Sequence, residues 1–287
     1  MIRHVRSGRA ASLAWVLPAV LVGCDPAAPP PQPASPTTAA VRMVMEPTRV
    51  VQASVIDALM AGRYDGVMSI AELLQYGDFG MGTLDHLDGE LTVLDGVAYQ
   101  ARHDGTVVTV PGDRSTPFAT VTPFIGTGER GCPMATNLRE LEARLDETLP
   151  QRNHFVAIRI DGKFAALTVR SVRRQEPPYR PLDEVAGEQE VHHLAEVSGT
   201  MVGFRSPAWT GGLNVPGYHW HFLTADRKGG GHVLDCRPMF GRVQYGIPRD
   251  WEIKLDRAPA FDRMDLTRDR SRELRRVEGT RGEPPQE

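Results

Sequence analysis

Apolar residues recur at helical spacing in Val50 to Ala61 (VVQASVIDALMA), which predicts a helix there. Ser69 followed three residues later by Glu72 is a capping box for a short helix through Gln75, stopped by Gly77 and Gly80. Leu138, Leu141, Leu145 and Leu149 repeat at three and four behind Asn137 and Glu140, so residues 138–149 form the clearest helix, its leucine stripe facing a core.

Strand patterns surround these helices. His154 to Ile160 and Lys163 to Val172 flank Asp161-Gly162, a pair that accepts positive φ and predicts a tight hairpin. In its second arm the two-residue period places Phe164, Ala166, Thr168 and Arg170 on one face and Ala165, Leu167 and Val169 on the other. Arg170 thereby sits opposite the more apolar face, able to look into a polar cavity. Gln189 to Phe204 and Tyr218 to Leu223 read as further strands, with Thr224 to Gly231 as a turn. After Arg263 the chain is dense in Arg, Asp and Glu and reads as a solvated helix or tail. No internal repeat interrupts this order.

The 287 residues are 41% hydrophobic and 24% charged, which suits one large or two moderate domains and excludes a wholly disordered chain or a polytopic membrane protein. Lys plus Arg total 33 against 36 Asp plus Glu, a net charge of −3. No global positive field holds nucleic acid, which is not an expected partner.

The start of the chain carries an address. Arg3, His4, Arg6 and Arg9 precede an almost uncharged run from Ala10 to Val22. A bilayer-spanning helix needs about 20 apolar residues, so the shorter run reads as the hydrophobic region of a secretory signal over residues 1–23. It ends in Leu21-Val22-Gly23-Cys24, which resembles the bacterial lipobox, whose cysteine is acylated. The bland alternative is a small-residue cleavage site with an incidental cysteine. Residues 24–40, rich in Pro, Ala, Ser and Thr, form a semi-rigid spacer. The expected product is an exported lipoprotein, anchored to the membrane through Cys24 and facing the periplasm or the cell exterior.

None of the cysteines shows the Cys-x-x-Cys spacing of a thiolate metal site. In an exported chain Cys132 and Cys236 could form a disulfide or stay as two buried thiols, and sequence leaves both open.

The residues that carry chemistry lie in Tyr218-His219-Trp220-His221-Phe222. Strand residues two apart share a side, so both imidazoles face one way. If the following strand pairs back about Asp226-Arg227, His232 falls opposite His221 and all three rings line one face of a hairpin. Directly opposed residues have Cβ atoms about 4.5–5.5 Å apart, close enough to share an ion. Three neutral imidazoles favour zinc, with Mn, Fe, Co or Ni as alternatives, and leave a coordination position open as catalytic sites do. The competing reading makes them core or surface histidines of an aromatic strand. His4, His86, His103, His154, His192 and His193 lack comparable spacing.

The segment GFRSPAWTGGLNVPGYHWHFLTADRKGGGHVLD (203–235) resembles the metal-binding segment of the bacterial α-acetolactate decarboxylases. LLQYGDFGMGTLDHLDGELTVLDGVAYQ (73–100) and HFVAIRIDGKFAALTVRSVRRQEPPYRPL (154–182) are similar to that family's two other characteristic stretches, in the same order. The resemblance spans roughly Val50 to Glu278. It implies a zinc-dependent carboxy-lyase converting α-acetolactate (2-hydroxy-2-methyl-3-oxobutanoate) to acetoin and CO2, with stereospecific protonation of the enediolate and no organic cofactor. It also implies a homodimer. His219, His221 and His232 match the family's metal ligands, Glu90 its active-site glutamate and Arg170 its active-site arginine. For a further C-terminal glutamate Glu278 is the best match and Glu273 the rival, and Thr83 matches a substrate contact. Trp220 stands where the resemblance leads one to expect an aliphatic residue. By its own surroundings, without the resemblance, Glu90 reads rather as a surface residue of an Asp-Gly-Glu turn.

Two other classes use the same features. Three imidazoles can generate zinc hydroxide for a hydratase or hydrolase, and a tethered domain with a histidine cluster also suits a non-catalytic metal-binding or solute-binding lipoprotein. The expected fold class is α+β with two β-rich lobes of mixed and antiparallel sheet. An N-terminal lobe would occupy 41–180 and a C-terminal, metal-binding lobe 181–287, divided where Pro177, Pro178 and Pro181 break the pattern.

Overall fold

The computed structural model describes residues 49–149 and 151–279. The signal, lipobox, Cys24 and Pro-rich spacer lie outside the described residues.

The chain opens with β1 (Arg49–Ala53), α1 (Ile56–Met60), β2 (Met68–Ser69) and α2 (Ile70–Leu73), where Ser69 caps as expected, its hydroxyl accepting from the Glu72 N–H at 3.1 Å. Strands β3 (Phe79–Thr83), β4 (Glu90–Leu94), β5 (Val97–Ala101), β6 (Val107–Thr109), β7 (Ser115–Thr116) and β8 (Phe118–Thr122) follow. Then come β9 (Gly128–Gly131), α3 (Leu138–Thr148) and the long β10 (Val156–Ser171). The remainder is α4 (Leu182–Val185), β11 (Glu190–Ser206), β12 (Gly217–Thr224), β13 (Gly230–Gly246), β14 (Asp250–Lys254), α5 (Pro259–Asp262) and α6 (Ser271–Glu278).

Two large sheets and a small antiparallel β2–β7 pair make the α+β architecture. A seven-stranded mixed sheet runs β14-β1-β8-β3-β4-β5-β6, and a five-stranded antiparallel sheet runs β10-β11-β12-β13-β9, with β10 also pairing β13 so that the sheet curls back on itself. The sheets pack through Phe79, Met81 and Leu94 of the first and Val202, Phe204 and Leu223 of the second. They are interleaved in sequence: β14 returns to the first sheet, and the division near Arg180 falls between β10 and β11, neighbours in the second.

Three local expectations change. Val50 to Ala53 is a strand, and only Ile56–Met60 is helical. β1 lies between β14 and β8 with Val50, Val51 and Ala53 all buried, so both faces are apolar and the alternation that marks a half-buried strand is missing.

Asp161-Gly162 makes no turn. It lies inside β10, where Gly162 pairs with both Gly199 and Gly241. A Cβ at 162 would stand 2.6 Å from the Phe240 carbonyl oxygen, so glycine here permits close strand approach rather than chain reversal. Bulges in the β10–β13 ladder also break strict alternation, and Phe164, Leu167 and Val169 enter one core.

The third change is the acidic and basic C-terminal stretch, whose helix α6 buries Leu274 and Val277 against Ile56, Leu59 and Leu182. By contrast α3 matches its leucine pattern, with the Asn137 side chain accepting from the Glu140 N–H at 2.8 Å. Cys132 and Cys236 are both free thiols, Cys236 buried.

Candidate metal centre and active site

His219 and His221 share one side of β12, and His221 pairs directly with His232 of β13, as the turn geometry requires. The ring centroids lie 5.0 to 5.6 Å apart, and one ligand nitrogen from each can be chosen so that all lie within 4.8 Å of one another. His219 Nε2 and His232 Nδ1 are separated by 3.1 Å. Two nitrogens bound tetrahedrally at about 2.0–2.1 Å would be about 3.3 Å apart, so this spacing fits a shared ion.

Hydrogen bonding prepares His221 as a ligand. Its Nδ1 lies 2.9 Å from the Leu91 carbonyl oxygen of β4. A carbonyl only accepts, so Nδ1 carries the proton and the Nε2 lone pair is left for a cation. His221 Nε2, His232 Nε2 and Glu278 Oε2 are buried and have no hydrogen-bond partner. Burial also holds all three imidazoles neutral: His219 is lowered to about 3 with Arg170 adding to the effect, and His221 and His232 fall well below the usual histidine value. Neutral imidazoles that do not take up a second proton, each keeping a nitrogen lone pair in a buried place, fit a divalent metal.

Charged residues surround them. Glu90 opens β4 directly opposite Thr83, the last residue of β3. Arg170, near the end of β10, pairs with His232 across the ladder. Its guanidinium Nη1 is 3.3 Å from Glu90 Oε1, and its Nη2 is 3.9 Å from Glu278 Oε1. Glu278 Oε2 stands 3.6 Å from His219 Nε2 and 3.8 Å from His232 Nε2, while Glu90 Oε2 is 3.7 Å from His221 Nε2. Burial pushes the Glu90 carboxyl up to about 7 against the pull of Arg170, and does the same to Glu278.

His219, His221, His232, Arg170, Glu90 and Glu278 therefore meet in one place. Glu278 reaches it from the end of α6, whereas Glu273 pairs with Arg268 instead. The Thr83 hydroxyl lines the cleft while donating to the Gly89 carbonyl at 2.7 Å, which fastens the turn leading to Glu90. Sequence reading missed the apolar wall of the cleft, formed by Ile56, Leu59, Leu87, Phe118, Val172, Leu182 and Val277. Apart from Ile56 and Leu59, which share α1, these residues come from separate elements, and no common sequence signal marks them as one wall. Leu87 was detectable least of all, since it sits at φ 56°, unusual for a bulky side chain.

Fold and site together define a group of three histidines, His221 and His232 buried and His219 partly so, that could hold a metal ion beside a cleft lined by Arg170, Glu90, Glu278 and apolar side chains. The family model for alpha-acetolactate decarboxylase matches residues 50–268. The alpha-acetolactate decarboxylase of Methanosarcina mazei is 44% identical over 227 residues, covering 79% of this chain and 79% of its own. That of Bacillus subtilis is 37% identical over 243 residues, covering 83% and 92%. The crystal structure of alpha-acetolactate decarboxylase from Bacillus subtilis strain 168 matches with a TM-score of 0.79 at 35% identity, covering 81% of this chain and 100% of that one. The chain belongs to the alpha-acetolactate decarboxylase family.

Proposed function

We propose that this protein is a zinc-dependent acetolactate decarboxylase that releases CO2 from α-acetolactate and protonates the product on one face to give acetoin. The observation that carries the reading is the convergence of His219, His221 and His232 with Arg170, Glu90 and Glu278 in one cleft of a family member.

Acetolactate is a β-keto acid. Breaking its C–CO2 bond leaves an electron pair that moves onto the neighbouring ketone oxygen, and the barrier is largely the cost of that charge. His219, His221 and His232 would hold a divalent ion here, which when bound would supply a Lewis acid for that charge, worth several kcal/mol. Arg170, planar and permanently charged, holds the carboxylate with its bond to carbon perpendicular to the carbonyl plane. The interaction must not favour the bound carboxylate over the transition state, and Glu90 and Glu278 share the guanidinium and moderate it. The apolar wall receives the two methyl groups and excludes water.

Loss of CO2 from the carboxylate leaves the enediolate one proton short of acetoin. Glu90 and Glu278, both raised to about 7 by burial, are each protonated part of the time near neutral pH and stand in the cleft to deliver that proton. Delivery from a fixed side determines the handedness of the product.

Purified protein treated with a chelator and dialysed is expected to lose acetoin formation and to regain it on adding zinc. Full activity in metal-free protein would refute the reading. Assays of CO2 hydration and ester hydrolysis on the same preparation test the hydratase and hydrolase alternatives.

The protein is also proposed to be an exported homodimer anchored by a lipid on Cys24. The lipobox-like Leu21 to Cys24 after a basic start and an uncharged run supports the anchor, and family resemblance supports the dimer. Incorporation of a labelled fatty acid that persists in Cys24→Ala would refute the anchor, and a monomeric mass by light scattering would refute the dimer.

A further inference from the structure

Strand β12 bears functional groups on both sides. His219 and His221 look into the cleft, while Tyr218 and Trp220 look toward α3, their rings stacked with centroids 5.6 Å apart and planes within 6°. The Trp220 indole N–H donates to Glu142 Oε1 at 3.0 Å, and the Tyr218 hydroxyl donates to Asp146 Oδ1 at 2.9 Å. Glu142 and Asp146 lie one turn apart on α3, on the same side of the helix.

The helix is fastened to the neighbouring strands as well. Asp146 Oδ1 also accepts from Arg205 Nη1 of β11 at 2.7 Å, and the Leu138 N–H donates to Asp235 Oδ1 of β13 at 2.8 Å. The helix thus braces β12 together with the strands on either side of it. Trp220 is 1% exposed and lies over Gly203, where a Cβ would meet the indole Cε3 at 2.0 Å. The indole fits across β11 only because residue 203 is glycine.

Trp220 stands between two imidazoles in sequence, so whatever fixes its side chain fixes the backbone that carries both. Residues behind a ligand that set its orientation commonly change metal affinity 10–100-fold when removed. We propose that Glu142 and Trp220 are a positioning pair for the metal centre: the indole-to-carboxyl hydrogen bond holds β12 so that His219 and His221 keep a common point with His232. Neither residue touches the substrate. The inference rests on the three-histidine reading of the site. A carboxyl oxygen of Glu142 can accept the bond whether or not the group is ionised.

The test compares wild type, Glu142→Gln, Glu142→Leu, Trp220→Phe and the Glu142→Leu, Trp220→Phe double variant. Each is loaded with zinc, and the rate of zinc transfer to a chelating dye is measured beside melting of the zinc-free proteins and KM and kcat at saturating zinc. Trp220→Phe and Glu142→Leu are expected to release zinc about tenfold or more faster. Glu142→Gln keeps the wild-type rate because its amide oxygen accepts the same N–H. The double variant is no faster than Trp220→Phe alone, since one bond is lost in either, and KM at saturating zinc stays at the wild-type value. Release within twofold of wild type in both Trp220→Phe and Glu142→Leu would overturn the positioning role, as would Glu142→Gln releasing as fast as Glu142→Leu. Wild-type protein that takes up no zinc would overturn the three-histidine reading and this inference with it. Normal zinc uptake with unaffected variants overturns this inference alone.

Discussion

His221 of the second sheet hydrogen-bonds through Nδ1 to the main-chain carbonyl of Leu91 in the first, at 2.9 Å. Leu91 follows Glu90 directly, so the strand that presents the acid also selects the tautomer of the ligand. Metal and carboxyl are therefore set by the packing of two sheets rather than by either alone.

Removing one imidazole leaves too few donors for tight zinc binding. His219→Ala or His221→Ala is expected to lose metal and activity together. Elemental analysis of the purified variants checks this, and stoichiometric zinc in an inactive His221→Ala would contradict it.

In the proposed mechanism Arg170 orients the substrate and does not hold the metal. Arg170→Lys keeps a positive charge but loses the planar fork, so zinc content should stay at wild-type level while kcat falls on the order of 100-fold. Turnover close to wild type would show that the carboxylate is oriented by another group.

The two buried glutamates can be separated by product chirality. Glu90→Gln and Glu278→Gln both remove a proton donor, but only the loss of the true donor should lower the enantiomeric excess of acetoin, because protonation then comes from solvent on either face. Chiral chromatography of the product reads this directly. Unchanged enantiomeric excess in both variants would rule out either carboxyl as the donor.

Glu142 predicts a pH effect on stability. Burial is the main cause of its rise from 4.5 to about 7, with the Trp220 bond opposing and Asp146 adding. A carboxyl raised in the folded state stabilises most below its unfolded value and loses that contribution as pH rises through about 7. Between pH 5 and 8.5 wild type should therefore lose roughly 2–3 kcal/mol at most relative to Glu142→Gln. Urea unfolding of both proteins at the two pH values measures the difference, and a gap independent of pH would refute it.

Glycines at strand crossings should behave unlike glycines in open strands. Gly162→Ala, pressed against the Phe240 carbonyl at 2.6 Å, should destabilise by about 2 kcal/mol or more. Gly131→Ala meets nothing within 4 Å and should stay within about 0.5 kcal/mol of wild type. Thermal melting of the pair decides it.

Among the Asp-Gly pairs of the chain, those at 95–96 and 161–162 behave differently. Asp95 and Gly96 have φ of 53° and 76° and join β4 to β5 as a tight turn, whereas Asp161 and Gly162 run on as strand. A dipeptide states only what conformations it tolerates. Partners on both sides, β11 and β13, decided the second case.

What sequence alone determined about this protein was local and periodic. The two-residue strand period put His219 and His221 on one side, the turn length put His232 opposite His221, and leucine spacing with an Asn137 cap placed α3. Glu90 and Glu278 were legible only through family resemblance, since no local pattern separates them from surface charges, whereas strand alternation had already turned Arg170 away from the more apolar face. The tertiary structure decided that β1 is a strand, that α6 carries Glu278 into the cleft, and that an apolar wall faces the metal. Those outcomes depend on contacts between residues far apart in the chain, whose free energy comes from burying surfaces together and leaves no mark on the spacing of either partner.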